Sequence, residues 1–246
     1  MEGGAMPEQT TDLVGAARRV GDLFSRIQQT LARWRDAVLD ATPDRPSTAT
    51  LDAVAGDLVL PELGDAGALF IGAGFIAAPE LTGTDAVHFS WWLGPLEENP
   101  VYGATSGPTK LDLGTRSYTD YLRDFRSLEW YRVPQSTHRT HVTGPYVDHL
   151  CTCDYIVTVT APVERDGRMI GVVGVDVFVK RLEHELLPAL LATGSPLVLV
   201  NADGRVMVST DPAVLPGTVQ PLDHADARAQ SCPGTPFRLL PTTTLG

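Results

Sequence analysis

Two aspartates are the residues in this chain best placed to do chemistry. Asp148 closes the segment Gly144-Pro145-Tyr146-Val147-Asp148, and Asp176 interrupts an otherwise apolar run that ends at Phe178. A buried carboxylate without a partner is costly enough that something cationic should meet it. Together the pair can take the three donors of a primary ammonium, while Trp130 and the tyrosines Tyr121, Tyr131 and Tyr146 offer π faces to the same charge. Arg126 adds a clamp for a carboxylate. The set reads as a binding site for a small amine or amino acid, with a small carboxylate held by arginine as the alternative. The plainer reading of Asp176 is a strand-end residue already in solvent.

A metal site competes for the neighbouring residues. His138, His141, His149, Cys151 and Cys153 lie close together in sequence, and imidazole with thiolate is a zinc ligand set. Their spacing argues against it, because Cys-x-Cys and His-x-x-His do not place two ligands at each end of a loop. Loop histidines and small buried thiols explain the cluster more simply, and a zinc-binding protein stands as the rival reading. Catalysis has less support. Cys151 and His149 are near each other in sequence, but no Gly-x-Ser-x-Gly, phosphate loop or dinucleotide fingerprint is present, so no enzyme and no cofactor are expected.

These side chains need elements to hold them. Tyr155 to Val163 and Met169 to Phe178 read as two strands joined by Arg165-Asp166-Gly167-Arg168, whose Asp-Gly pair supplies the positive φ of a tight turn. Glycines at 171 and 174 inside the second strand mark a close approach of a helix, a bend or a ligand. Residues 120–130 carry Tyr121, Phe125 and Leu128 at helical spacing and would bring Arg126, Trp130 and Tyr131 to the hairpin. Strands are expected at Ala68–Ala77 and Ala86–Leu93, where Trp91 and Trp92 must point to opposite faces. Pro7 to Ala41 has Leu13, Ala17, Val20, Phe24, Ile27, Leu31, Trp34 and Val38 along one seam, a long helix ended by Pro43 and Pro46. That seam can lie on the chain's own sheet or be shared in a homodimer. A helix at Thr48–Leu60, a linking helix at Lys180–Ala192 and strands at Leu197–Val200 and Arg205–Val208 follow. Beyond Asp211 little periodicity is left.

The succession Trp130-Tyr131, Gly144-Pro145-Tyr146-Val147-Asp148, Ala161-Pro162-Val163, an Asp-Gly turn, then Ile170 to Asp176 resembles the double Cache family of sensors, a PAS-like ligand-binding fold. The resemblance implies an α+β protein with a long N-terminal helix packed on a PAS-like antiparallel sheet and a smaller second lobe. It divides the chain into a helix and linker at 1–46, a ligand-binding domain at 47–193 and a reduced lobe at 194–246. It implies a sensor module that signals by ligand-induced conformational change. Family members that bind amino acids use an arginine two residues before the tryptophan, a Tyr-x-Asp, and the aspartate ending the glycine-rich strand. Tyr146, Asp148, Trp130 and Asp176 match, but Leu128 stands where that arginine would be. Either Arg126 substitutes or the ligand lacks a carboxylate.

Composition narrows the partners. A formal charge of −11, with no cluster of Lys and Arg, argues against nucleic acid and anionic membrane surfaces. No apolar run is long enough to span a membrane, and the first residues show no leader pattern. A cytoplasmic location is the resulting expectation, although the resembling sensors usually sit between two membrane spans, which leaves an excised piece as the other reading. Three cysteines are too few for a disulfide framework. No output segment is apparent, so the downstream partner stays unnamed.

Overall fold

The structure, a computed structural model, describes residues 7–65, 67–84, 87–96, 103–112, 125–148, 152–222 and 228–242. Helix α1 runs Pro7–Ala41, as the seam requires. Ala17, Val20, Phe24, Ile27, Leu31, Trp34 and Val38 are all buried, and each such large side chain contributes about 1.5–3 kcal/mol before chain entropy opposes it. The chain then forms two compact units interleaved in sequence. One comprises Gln28–Thr143 and Val147–Phe178, the other Met1–Ile27, Gly144–Tyr146 and Val179–Gly246.

The first of these units is organised by a six-stranded sheet. Its strands are β1 (Gly72–Ala77), β2 (His88–Leu93), β3 (Thr109–Lys110), β4 (His141–Val147), β5 (Tyr155–Arg165) and β6 (Arg168–Phe178), in the order β3-β2-β1-β6-β5-β4. The expected hairpin is β5–β6, an antiparallel pair whose turn residues Asp166 and Gly167 have φ of 52° and 74°. Both central residues at positive φ is the condition a two-residue hairpin turn of this hand imposes. Strands β1 and β2 begin later than expected, at Gly72 and His88. Both β1–β2 and β1–β6 are antiparallel.

Strand register sorts the side chains onto two faces. Ala73, Phe75, Trp92, Val157, Val159, Val173 and Val175 share one. Against it lies α2 (Thr48–Leu63), which is N-capped by the Ser47 hydroxyl accepting from the Thr50 amide at 3.1 Å. Asp52 ties this helix to the sheet. It accepts from Ser90 Oγ at 2.9 Å, sits 3.0 Å from His88 Nε2 and pairs with Lys110. Burial alone would raise the Asp52 carboxyl, but bonds from Lys110, Ser90 and His88 outweigh it and hold the group below its ordinary value. Within this unit the Trp34 ring meets Phe70 edge-on at 6.2 Å. A one-turn helix, α3 (Pro79–Thr82), follows β1.

The helix expected over 120–130 lies outside the described residues up to 124 and is corrected from 125 on. Residues 125–127 form a single 3-10 turn, Leu128 is extended (φ −67°, ψ 136°), and α4 runs Glu129–Thr137 to a left-handed cap at His138. Pro134 sits inside α4 and would ordinarily signal a helix end. A proline there cannot donate to the carbonyl four residues back, that of Trp130. Thr160 Oγ on β5 donates to that carbonyl instead, at 2.7 Å, so the sheet supplies the missing donor.

The other unit contains α5 (Val179–Leu191), with Leu182, Leu186 and Leu190 buried, and a four-stranded sheet. Its strands are β7 (Leu197–Val200), β8 (Val206–Ser209), β9 (Gln230–Ser231) and β10 (Arg238–Pro241), ordered β8-β7-β10-β9. The region beyond Asp211 is thus less irregular than its sequence suggests. Phe237 and Leu239 are fully buried there, and Phe24 of α1 packs edge-on against Phe237 at 4.8 Å. The seam of α1 is buried within its own chain. Among the described residues no helix is long and apolar enough to cross a membrane.

Candidate ligand-binding site

The second face of the six-stranded sheet is chemically different. Register places Gly72 and Gly74 of β1, Trp91 of β2, Gly174 and Asp176 of β6, and Thr158 and Thr160 of β5 on it. The glycines make room. A Cβ on Gly174 would lie 3.3 Å from Trp91 Cη2, and one on Gly72 would lie 2.9 Å from Trp91 Nε1 and 3.1 Å from Asp176 Oδ2. The indole of Trp91 therefore reaches from β2 across β1 to β6, along a track that side chains at 72 and 174 would block. Of the two adjacent tryptophans, Trp91 is the one on this face. Trp92 points the other way, toward Gly56 of α2 and beneath Lys110 at 5.9 Å.

Asp176 is buried, with 6% of its surface exposed. Thr158 Oγ donates to its Oδ1 at 2.6 Å. Burial first, and the charge of Asp148 second, push its pKa up to about 8, against the lowering effect of Thr158. At neutral pH the empty site therefore holds Asp176 mostly as the neutral acid. Among the described residues no side-chain cation pairs with it, and none hydrogen-bonds its Oδ2. Asp148 is equally buried, its Oδ2 accepting from the amide and hydroxyl of Thr152 at 2.9 and 3.1 Å.

Helix α4 stands over this face through the Thr160 bond to Trp130. The Trp130 ring meets Phe89 at 6.3 Å and Tyr131 at 6.1 Å, both edge-on, and Tyr131 meets Phe125 at 4.8 Å. Tyr131 is fully buried; burial pushes its phenol up, offset in part by Arg126. Tyr146 is half-buried on β4, two residues before Asp148. Arg126 is at the surface, ion-paired to Glu80 and 5.8 Å from the Phe125 ring. Tyr121 lies outside the described residues. The structure thus brings Asp148 near Asp176, ties Trp130, with Tyr131 beside it, to Thr160 of the same sheet face, and holds Arg126 in a surface pair.

The metal candidates are dispersed into other partnerships. His141 Nε2 is 2.7 Å from Glu129, His138 pairs with Glu164, and Cys153 is exposed and free. His149 and Cys151 lie outside the described residues. Among the described residues no three His, Cys, Asp or Glu side chains come together as a metal site. Sequence reasoning passed over Thr158, Thr160 and the choice between the tryptophans. The signal for Trp91 was the Gly-x-Gly of β1, readable only once β1 is paired with both β2 and β6.

Residues 92–184 match the family model described as methyl-accepting chemotaxis protein-like, first PDC sensor domain. The ligand-binding domain of the Pseudomonas fluorescens chemoreceptor CtaA, solved with L-valine, superposes with a TM-score of 0.59 at 17% identity, covering 95% of each chain. The sensory domain of the Campylobacter jejuni chemoreceptor Tlp3, with isoleucine bound, gives 0.57 at 16% identity, over 87% of this chain and 74% of that one. The Pseudomonas aeruginosa PAO1 amino acid chemoreceptor PctB, in complex with L-Gln, gives 0.52 at 18%, over 83% and 68%. Motif order and family model agree over residues 92–184, which resemble a Cache (PDC) sensor domain, and the fold of most of the chain is that of these ligand-binding domains.

Proposed function

We propose that this chain is a sensor module whose ligand is a small amino acid, bound through its ammonium at Asp176 and Asp148 and signalled by a change of conformation. One observation carries the reading. Asp176 is a buried carboxyl with one oxygen satisfied by Thr158 and the other facing a glycine-cleared space, and among the described residues no cation answers it. A ligand ammonium would supply that charge and restore the ionised form. A ligand that is only a carboxylate would instead bring its charge beside buried Asp148 and supply no cation to draw Asp176 into its ionised form, and Arg126 is engaged elsewhere. The amino acids named with the CtaA, Tlp3 and PctB domains support the same class. We read the site as one that binds: among the described residues it has aromatic walls and acids but no nucleophile paired with a base.

A calorimetric screen of the twenty amino acids, their parent amines and their parent carboxylates tests this. Amino acids should bind, and Asp176→Ala should weaken them by well over tenfold, the usual loss when one partner of a buried charge pair is removed. Tight binding of carboxylates that lack an amine, unchanged in Asp176→Ala, would overturn the assignment.

A further inference from the structure

Trp91 offers a second polar atom that borders the same space. Its side chain is buried, its Nε1–H makes no hydrogen bond among the described residues, and it lies 2.9 Å from the point where a Gly72 Cβ would be. Asp176 Oδ2 lies 3.1 Å from that same point. The two do not bond each other. A donor and an acceptor on mostly buried side chains, neither atom hydrogen-bonded among the described residues, therefore border one space. A space that only glycine keeps open between a donor and an acceptor is a place where another molecule can supply both halves.

From this we infer that Trp91 is a specificity-determining residue of the site: its indole N–H donates to an acceptor oxygen of the ligand while Asp176 takes the ligand's ammonium. The inference rests on the reading of the site given above and deepens it. Because the two protein groups face one small volume, the ligand must carry its donor and its acceptor on neighbouring atoms. An α-amino acid does so, with ammonium and carboxylate on one carbon. A simple amine has the donor only. Trp91 thus takes the role that Leu128 cannot fill and from which Arg126 is held away by Glu80. The reach of the same indole to Gly174 closes the floor of the site, which favours short side chains on the ligand.

The test compares each of L-valine, L-alanine and L-glutamine with the amine lacking its carboxylate: isobutylamine, ethylamine and 4-aminobutanamide. Wild type should bind at least one amino acid about tenfold or more tighter than its amine, the scale of a charge-assisted bond. Trp91→Phe should lose that preference while its affinity for the amine stays within about twofold. A preference that survives intact in a folded Trp91→Phe overturns the inference and leaves the ammonium site standing. Binding of amine and amino acid with equal affinity by wild type does the same. If none of the three amino acids binds wild type, the inference falls together with the reading of the site. Should Trp91→Phe not fold, the wild type decides alone. With indole-15N-labelled tryptophan, one indole N–H resonance should move downfield with the amino acid and not with the amine; no such movement overturns the inference.

Discussion

Thr158 and Asp176 stand opposite each other on β5 and β6, and the threonine hydroxyl donates to the aspartate Oδ1 at 2.6 Å. That bond is the one described interaction favouring the charged form of Asp176, against burial and the nearby Asp148 charge. Ligand affinity should therefore follow the ionisation of this acid. With a pKa of about 8 in the empty site, affinity for an amino acid should rise as pH rises toward 8, by up to tenfold per unit, and level off above it. Thr158→Val should move the bend to higher pH and weaken binding at pH 7. Titration calorimetry at pH 6, 7 and 8, in buffers of different ionisation heat, should show close to one proton released per ligand bound at pH 6. A flat profile would separate binding from Asp176.

The same acid sets a pH dependence of stability in the empty protein, with the opposite sense from the usual carboxylate. Its folded pKa, about 8, lies above the value of 3.8 that applies when it is exposed. Between those limits the folded state binds the extra proton, so this group's contribution to stability is fully present below about 3.8 and declines as pH rises through 8. Asp176→Asn removes the ionisable group and keeps the shape. Chemical denaturation at pH 5.5 and 8.5 should find wild type losing stability relative to Asp176→Asn at the higher pH. Equal losses in both proteins would refute the shifted pKa.

Much of this was legible in the sequence because it rests on local pattern. The seam from Ala17 to Val38, the Asp-Gly turn and the apolar run broken by Asp176 each carry their own signal within a few residues, and each folds as read. What sequence could not show depends on partners far along the chain. Pro134 reads as a stop only if Thr160 is ignored, and α4 continues because a hydroxyl thirty residues away replaces the lost donor. Trp91 and Trp92 are indistinguishable until the register of β1 decides which faces the glycines. Arg126 has the composition of a clamp, and its diversion to Glu80 is a tertiary fact. Phe237 and Leu239 alternate over too few residues to announce a strand.

The Thr160 bond gives a prediction about the wall of the site. Thr160→Val keeps the volume but leaves the part-buried Trp130 carbonyl without its donor, which should cost about 1 kcal/mol. Because Trp130 and Tyr131 ride on that helix, ligand affinity should drop as well. Thr160→Ser, which keeps the hydroxyl, should restore most of both. Urea denaturation and calorimetry on the two variants provide the check, and a Thr160→Val protein as stable as wild type would mean that the bond to Trp130 contributes nothing net.

Arg165 closes the end of α1 from a distance in the same way. The helix has no basic residue in its last turn, and its terminal carbonyls need donors from elsewhere. The guanidinium at the end of β5 reaches one of them, that of Leu39, and the carbonyls of the two residues that follow the helix. It donates to the carbonyls of Thr42, Pro43 (3.1 Å) and Leu39 (3.5 Å), and pairs with Asp44 at 3.3 Å. The Asp44 pair is largely exposed and is worth little, so the carbonyl contacts carry the effect. Arg165→Met keeps the apolar stem and removes the donors, and it should cost about 1–3 kcal/mol. The loss should be local first. The Thr42 amide, bonded to the Val38 carbonyl at 3.0 Å, should exchange with solvent faster in the variant, while amides at the centre of β5 and β6 change only by the global loss of stability. Unchanged exchange at Thr42 would show that α1 ends without help from the hairpin.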